Sequence, residues 1–347
     1  MTNLHQFIER STGRVRPEML RADKMIRALY SGAAEKLPFL LRATTSQRTS
    51  SLLAYLNYDS LLSSRWTGST RFLRKSGIDL TECVASPEDL KTPRQVFERQ
   101  IRYWECRPLA KSAIVSPADS RVAIGSLAEE SLLFLKGKFF DLDELLGRKR
   151  AWRKQFSGGD FAIFRLTPEK YHYTHVPCAG KVVDFYELDG SLHSCNPAAT
   201  VRLIAPHSKN RRVVTIIDTN VPNGAQVGTV AMVEVLALMI GQIEQRYSTK
   251  HYDDPQEIEP GIFIEKGSPK ALFRPGSSTV VLLFEPDKIE FAEDLRENAV
   301  RADVHSRFSR RFQKPLVETD LAVRSEIASP KQQSRIASQT RKGAAKK

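Results

Sequence analysis

The stretch Arg274-Pro275-Gly276-Ser277-Ser278-Thr279-Val280-Val281-Leu282-Leu283-Phe284-Glu285 runs from a turn of small residues into an unbroken apolar segment. A short apolar run entered from Pro-Gly-Ser-Ser predicts a buried strand. A serine hydroxyl at the head of such a strand can be held against the preceding carbonyl, the arrangement that self-cleavage by serine requires. Taken alone, a Gly-Ser turn more often only closes a hairpin. Outward from this stretch, from about Lys111 to Glu290, short β-like segments alternate with Gly, Pro, Asn and Asp. Arg212 to Asp218, Gly228 to Val235 and Thr279 to Phe284 are examples, and together they predict a β-rich core.

The flanks differ from the core. Arg16-Pro17 sits where a helix can begin, and Met19, Ala22, Ile26 and Leu29 follow at helical spacing with Arg21, Lys24 and Arg27 between them. A second helical pattern runs from Ser50 to Leu62. From His305 to Lys347 there are eleven basic residues against three acidic ones, so this segment carries +8 of the net +13. Its Ser-, Gln-, Ala- and Lys-rich end has no apolar period, which predicts disorder. The fold class expected is α+β: a helical region over 1–95 that either packs on the core or offers a basic surface to a membrane, a β-rich catalytic domain over 96–304 and a basic tail over 305–347.

Composition bounds the function. With 347 residues, 41% hydrophobic and 27% charged, the chain can bury a sizeable core. The basic charge suits a solvated tail or one docked on anionic lipid equally, and the absence of an RNA-binding aromatic motif puts nucleic acid behind both. The longest apolar run, Val227 to Ile243, is broken by Glu234 and is shorter than the ~20 residues that cross a bilayer. The N-terminus shows no secretory signal, so a cytoplasmic protein peripheral on a membrane is expected. Cys83, Cys106, Cys178 and Cys195 have no metal-knuckle spacing. His172 and His175 lie on a strand or loop without an acidic or cysteine ligand nearby, so no metal is expected.

Several blocks carry a resemblance in order along the chain. They are Phe97-Glu98-Arg99-Gln100-Ile101-Arg102 with Arg107-Pro108, Val115-Ser116-Pro117-Ala118-Asp119-Ser120-Arg121-Val122, Lys136-Gly137-Lys138 through Gly147, and Phe156-Ser157-Gly158-Gly159. Leu166-Thr167-Pro168-Glu169-Lys170-Tyr171-His172-Tyr173-Thr174-His175-Val176-Pro177, Asp189-Gly190-Ser191, Asn196-Pro197, Asn210-Arg211 and Glu265-Lys266-Gly267 continue the series, which ends at Ser278 to Phe284. Over roughly residues 95 to 290 the chain resembles the phosphatidylserine decarboxylase proenzymes, which cut themselves and convert a serine into a pyruvoyl group.

The resemblance implies site residues and chemistry. Ser278 is implied as nucleophile and pyruvoyl precursor, with cleavage between Ser277 and Ser278 or, as the alternative, between Gly276 and Ser277. The serine attacks the preceding carbonyl, the amide becomes an ester, and elimination followed by hydrolysis leaves a ketone and ammonia. His175 is implied as the base, Asp119 as the partner that stabilises its imidazolium, and His172 as the residue handling protons or substrate at the pyruvoyl group. The covalent pyruvoyl serves as cofactor, taking up the electrons released as carbon dioxide leaves, and no metal is needed. Phosphatidylserine is the implied substrate and phosphatidylethanolamine the product of this step in phospholipid biosynthesis. The implied partners are an anionic membrane surface and the cleaved small chain. Nucleic acid is not expected, and a homo-oligomer is left open.

The chain departs from the family pattern at Ser120, Lys170, Tyr173, Leu236 and Ser277. Two further readings therefore stand beside the first: a pyruvoyl decarboxylase of another amino-acid-like substrate, and an uncleaved relative that binds lipid or a partner.

Overall fold

The computed structural model describes residues 4–18, 20, 58, 77–128, 140–147, 150–194, 196–201, 206–237, 242–276 and 278–331. In chain order the strands are β1 (Gln6–Glu9), β2 (Arg14–Pro17), β3 (Ile114–Val115), β4 (Ser120–Ser126), β5 (Asp160–Leu166), β6 (Tyr173–His175), β7 (Gly180–Leu188) and β8 (Arg212–Asp218). There follow β9 (Thr229–Leu236), β10 (Ile243–Gln245), β11 (Phe263–Ile264), β12 (Pro269–Phe273), β13 (Ser278–Phe284), β14 (Ile289–Phe291), β15 (Thr319–Leu321) and β16 (Glu326–Pro330). The helices among the described residues are short, from four to seven residues. Among the described residues the protein is mixed α and β, with most of the regular structure in sheets.

Ten strands form one sheet in the order β11-β7-β8-β9-β13-β5-β4-β15-β1-β2, and β10-β12-β6 and β14-β16-β3 form two smaller sheets. The apolar run that opened the sequence reading is the centre of the large sheet. β13 is hydrogen-bonded along its whole length to β5 on one side and β9 on the other, both antiparallel. Val280, Leu282 and Phe284 enter one apolar cluster and Val281 and Leu283 the other, so both faces of the strand are covered. That double burial is why β13 reads as continuous apolar sequence and not as an alternation.

The N-terminal expectation is corrected. Residues 6–17 form a β-hairpin, not the approach to a helix, and β1 runs parallel to β15. Pro17, read as a helix start, is the last residue of an edge strand, where its missing N–H interrupts no ladder. The helical patterns after Leu20 and from Ser50 to Leu62 lie outside the described residues, apart from the buried Tyr58.

The tail expectation is corrected too. Residues 307–331 contribute the helix Arg307–Phe312 and strands β15 and β16, and Phe308, Phe312, Leu316, Val317, Leu321, Val323 and Ile327 are buried. Only residues 332–347 of that segment lie outside the described part. The large sheet thus draws strands from each of the three regions into which the sequence had been divided.

Two buried charge networks tie these elements together. Arg121 and Arg165 face each other across β4 and β5, a like-charge pairing that needs compensation. Glu18, just after the hairpin, binds both, and Glu318, beside β15, binds Arg165. His5 Nε2 lies 3.0 Å from Glu318. Its Nδ1 accepts the Arg307 backbone N–H at 3.1 Å, so Nε2 carries the ring proton and donates it to Glu318. His5, Glu18 and Glu318 cluster closely enough to suggest a metal site, but this protonation and the two guanidiniums already use the donor atoms. In the second network Lys270 Nζ lies 2.6 Å from Glu234 Oε2, both side chains fully buried, with Thr174 and Gln245 completing the hydrogen bonds.

Candidate active site

Three segments converge at one end of the large sheet. Ser278 opens β13 opposite Leu166, the last residue of β5. One residue further in, Arg165 pairs with Arg121 of β4, so Asp119, just before β4, lies at the same end. The loop from Thr167 leaves β5 there and returns as β6, which carries His175. His175 N donates to the Pro117 carbonyl at 2.8 Å, and Phe273 N donates to the His172 carbonyl at 3.1 Å.

Ser278 is fully buried, and its Oγ has no hydrogen-bond partner among the described residues. A buried hydroxyl of this kind costs on the order of 1–3 kcal/mol. The preceding turn is shaped by Gly276, whose φ of 155° L-residues rarely adopt. Ser277, the residue on the other side of the expected scissile bond, lies outside the described residues.

The ring of His175 is fully buried and bonded at both nitrogens. Nδ1 lies 2.8 Å from the Gly267 carbonyl and therefore carries the proton, and Nε2 lies 3.0 Å from the Tyr171 hydroxyl. Tyr171 is in turn 2.8 Å from the Tyr252 hydroxyl, and the edge of Tyr103 packs on the ring with centroids 4.7 Å apart. Burial pushes the His175 pKa down to about 3, so the ring is neutral at physiological pH.

His172 is also fully buried, with its Nδ1 2.7 Å from the Lys170 carbonyl. Its Nε2 is a bare lone pair without a partner among the described residues. Burial, reinforced by the Arg99 charge, lowers its pKa to about 3.

Asp119, the implied partner of His175, makes no hydrogen bond to its ring. Asp119 instead binds Arg107, with Oδ1 3.1 Å from Nε and Oδ2 3.0 Å from Nη2, and accepts the Val323 N–H at 2.7 Å. Arg107 also holds Glu82 through two bonds of 2.9 and 3.0 Å. Burial alone would raise the Asp119 pKa, but Arg107 outweighs it and holds the carboxyl below its ordinary range. Its charge reaches both histidine rings through space and favours their protonated forms. Sequence reading passed over Arg107, Tyr171 and Tyr252. Arg107-Pro108 stood in a recognised block, whereas Tyr252 carried no local signal.

Four of the five departures from the family pattern have local partners, the fifth, Ser277, lying outside the described residues. Lys170 pairs with Asp320 at 2.7 Å. Tyr173 stacks on Tyr171 with centroids 5.5 Å apart and accepts a hydrogen bond from Gln100. Leu236 is buried opposite Ser278, and the Ser120 hydroxyl bonds to the Ala118 carbonyl.

A sheet end with a buried serine at the head of a strand, two neutral histidines and an anchored aspartate has the residue types of an enzyme that works by nucleophilic and acid–base chemistry. A profile of the family described as phosphatidylserine decarboxylase matches residues 94–308. Proteins named phosphatidylserine decarboxylase proenzyme are similar to the chain. That of Nitrosococcus oceani is 35% identical over 237 residues, 65% of this chain and 75% of the relative. That of Bordetella petrii is 32% identical over 239 residues, 65% of this chain and 80% of the relative. That of Chlamydia trachomatis serovar D is 30% identical over 301 residues, 83% of this chain and 90% of the relative. The chain belongs to the phosphatidylserine decarboxylase family, whose members are carboxy-lyases.

Proposed function

We infer that this chain converts phosphatidylserine to phosphatidylethanolamine and carbon dioxide, after cutting itself before Ser278 and converting that serine to a pyruvoyl group. The observation that carries the reading is the unpartnered, buried Ser278 Oγ behind a glycine turn, at the position where the family motif places its nucleophile. The site fits a group built from this serine because no side chain among the described residues has claimed its oxygen. When formed, the pyruvoyl group would supply an electron sink for decarboxylation.

The chain's own residues supply the rest. His175, neutral and protonated on Nδ1, receives the Ser278 proton at Nε2, where the Tyr171 hydroxyl now sits. Asp119, ionised by Arg107, stabilises the resulting imidazolium through space and not through a direct bond. His172, with Nε2 free, moves protons in the decarboxylation step. Cleavage leaves β13 hydrogen-bonded between β5 and β9, so the small chain stays in place. The lipid's acyl chains remain in the bilayer, and the basic residues of the chain draw it to anionic head groups. No helix among the described residues is long and apolar enough to cross a membrane.

The reading is tested by incubating purified protein with phosphatidylserine vesicles and measuring carbon dioxide and phosphatidylethanolamine. Product from the wild type and none from Ser278→Ala supports it. Cleaved wild-type protein that leaves phosphatidylserine untouched but decarboxylates a soluble amino acid would move the substrate assignment.

A further inference from the structure

The Phe97-Glu98-Arg99 motif has no part in the chemistry above, yet its two outer side chains converge on His172. Phe97 ends the helix Pro93–Phe97, which is started by a capping box between Thr92 and Gln95 with Pro93 in the first turn. The phenyl ring is fully buried and lies face to face with the His172 imidazole, with centroids 3.6 Å apart and planes at 29°. Two residues on, the buried Arg99 donates from Nη2 to the Glu169 carbonyl at 2.9 Å. Its Nη1 donates to the Val96 carbonyl at 2.8 Å and the Lys170 carbonyl at 3.3 Å. The Lys170 carbonyl is the one that accepts the His172 Nδ1–H. One motif therefore covers a face of the ring and fixes the carbonyl that sets its tautomer.

The result is a ring whose buried Nε2 has no partner among the described residues. We propose that Phe97 and Arg99 are positioning residues for the decarboxylation step, holding His172 so that Nε2 is presented as a neutral lone pair to the group formed from Ser278. The proposal rests on the role given to His172 above. The charged groups acting on the ring are Arg99, from the segment after the helix, which opposes protonation, and Asp119, ahead of β4, which favours it. The other ring packed on His172, Phe97, carries no charge. Removing the Arg99 charge should therefore raise the pH at which His172 protonates and stops accepting.

The test uses the full-length protein after maturation, with Phe97→Leu, Arg99→Met, Arg99→Lys and His172→Ala assayed on phosphatidylserine in mixed micelles across pH, beside thermal melts. Phe97→Leu is expected to mature and to lose kcat by roughly tenfold or more with KM held within about twofold. Arg99→Met should move the acidic limb of kcat to higher pH, whereas Arg99→Lys, keeping the charge, should leave that limb where the wild type has it. Should Arg99→Met not accumulate, Phe97→Leu decides by its kcat. If Phe97→Leu and Arg99→Met fold, mature and keep wild-type kcat and pH limb while His172→Ala is inactive, the positioning role is wrong and the role of His172 stands. Full turnover in His172→Ala would remove both.

Discussion

The Asp119 carboxylate is gripped by the Arg107 guanidinium, with Oδ2 3.0 Å from Nη2, and makes no hydrogen bond to His175. The carboxylate is thus anchored away from the ring, and it is its charge, not a bond, that reaches the imidazole. Asp119→Asn keeps the volume and can still accept the Val323 N–H, but it removes the charge. Its maturation should slow by about tenfold or more, because an imidazolium must form in a buried site without a counter-ion. Gel analysis of the precursor-to-product ratio against time checks this. Wild-type maturation in Asp119→Asn would assign the residue to anchoring alone.

The two histidines should separate the two reactions. His175→Ala is expected to remain full length, and His172→Ala to mature while turning over poorly, each loss falling within ~10²–10⁴-fold. Cleavage and carbon dioxide release measured on the same preparations check the division. If His172→Ala is the variant that fails to mature, its free Nε2 is the base for Ser278 and the roles exchange.

The buried Lys270–Glu234 pair makes a prediction about stability. Lys270→Met leaves the Glu234 carboxylate buried with Thr174 and Gln245 as its remaining partners, and should cost about 3–5 kcal/mol. Glu234→Leu combined with Lys270→Met removes both charges and should recover much of that loss. Urea unfolding of the two variants and the wild type decides it.

Acid should weaken the network at the N-terminal hairpin. Burial raises the pKa values of Glu18 and Glu318, but Arg165, with Arg121 at Glu18 and His5 at Glu318, brings both below the ordinary 4.5. A carboxylate with a depressed folded pKa adds stability that is fully present above its unfolded value and is lost as pH falls through the folded one. Urea midpoints should therefore hold steady above about pH 5.5 and fall progressively below about pH 4.5. Glu318→Gln should lower the plateau and flatten part of the fall.

How much of this was legible depended on where the determining contacts lay. β8, β9 and β13 are read within a residue of their ends, because their apolar composition reports burial directly. The hairpin of β1 and β2 was missed, since Gln6–Glu9 and Arg14–Pro17 are short, half-polar strands stabilised by β15 and by charges remote in sequence. The Ser11-Thr12-Gly13 turn, with Gly13 at φ 66°, was the available signal. Strands β15 and β16 were concealed by counting charge over the whole C-terminal segment, although Val317, Leu321, Val323 and Ile327 mark a core-facing pattern. Ser278, His172 and His175 are proposed as site residues from local motifs that resemble the family's. The grip of Arg107 on Asp119 is tertiary, and no spacing rule would have given it.

The placement of β15 and β16 decides how membrane attachment through the basic tail is tested. Because β15 and β16 belong to the fold, the informative truncation follows Lys331 and takes away Arg335, Arg341, Lys342, Lys346 and Lys347. Binding of the truncated protein to anionic vesicles should be weaker and less sensitive to salt, as the Debye length shrinks from about 10 Å at 0.1 M to about 3 Å at 1 M. Sedimentation with neutral and anionic vesicles at both salt levels checks this. Unchanged binding after truncation would place the contact elsewhere on the chain.

The most direct test of the central claim is the intact mass of the purified protein beside that of Ser278→Ala. The wild type should resolve into a large chain ending at Ser277 and a small chain of roughly 8 kDa, lighter by one ammonia than residues 278–347 and blocked at its N-terminus. Ser278→Ala should give one full-length mass. A full-length wild type, or a Ser278→Ala protein cut at the same bond, would contradict the assignment of Ser278 as nucleophile and pyruvoyl precursor.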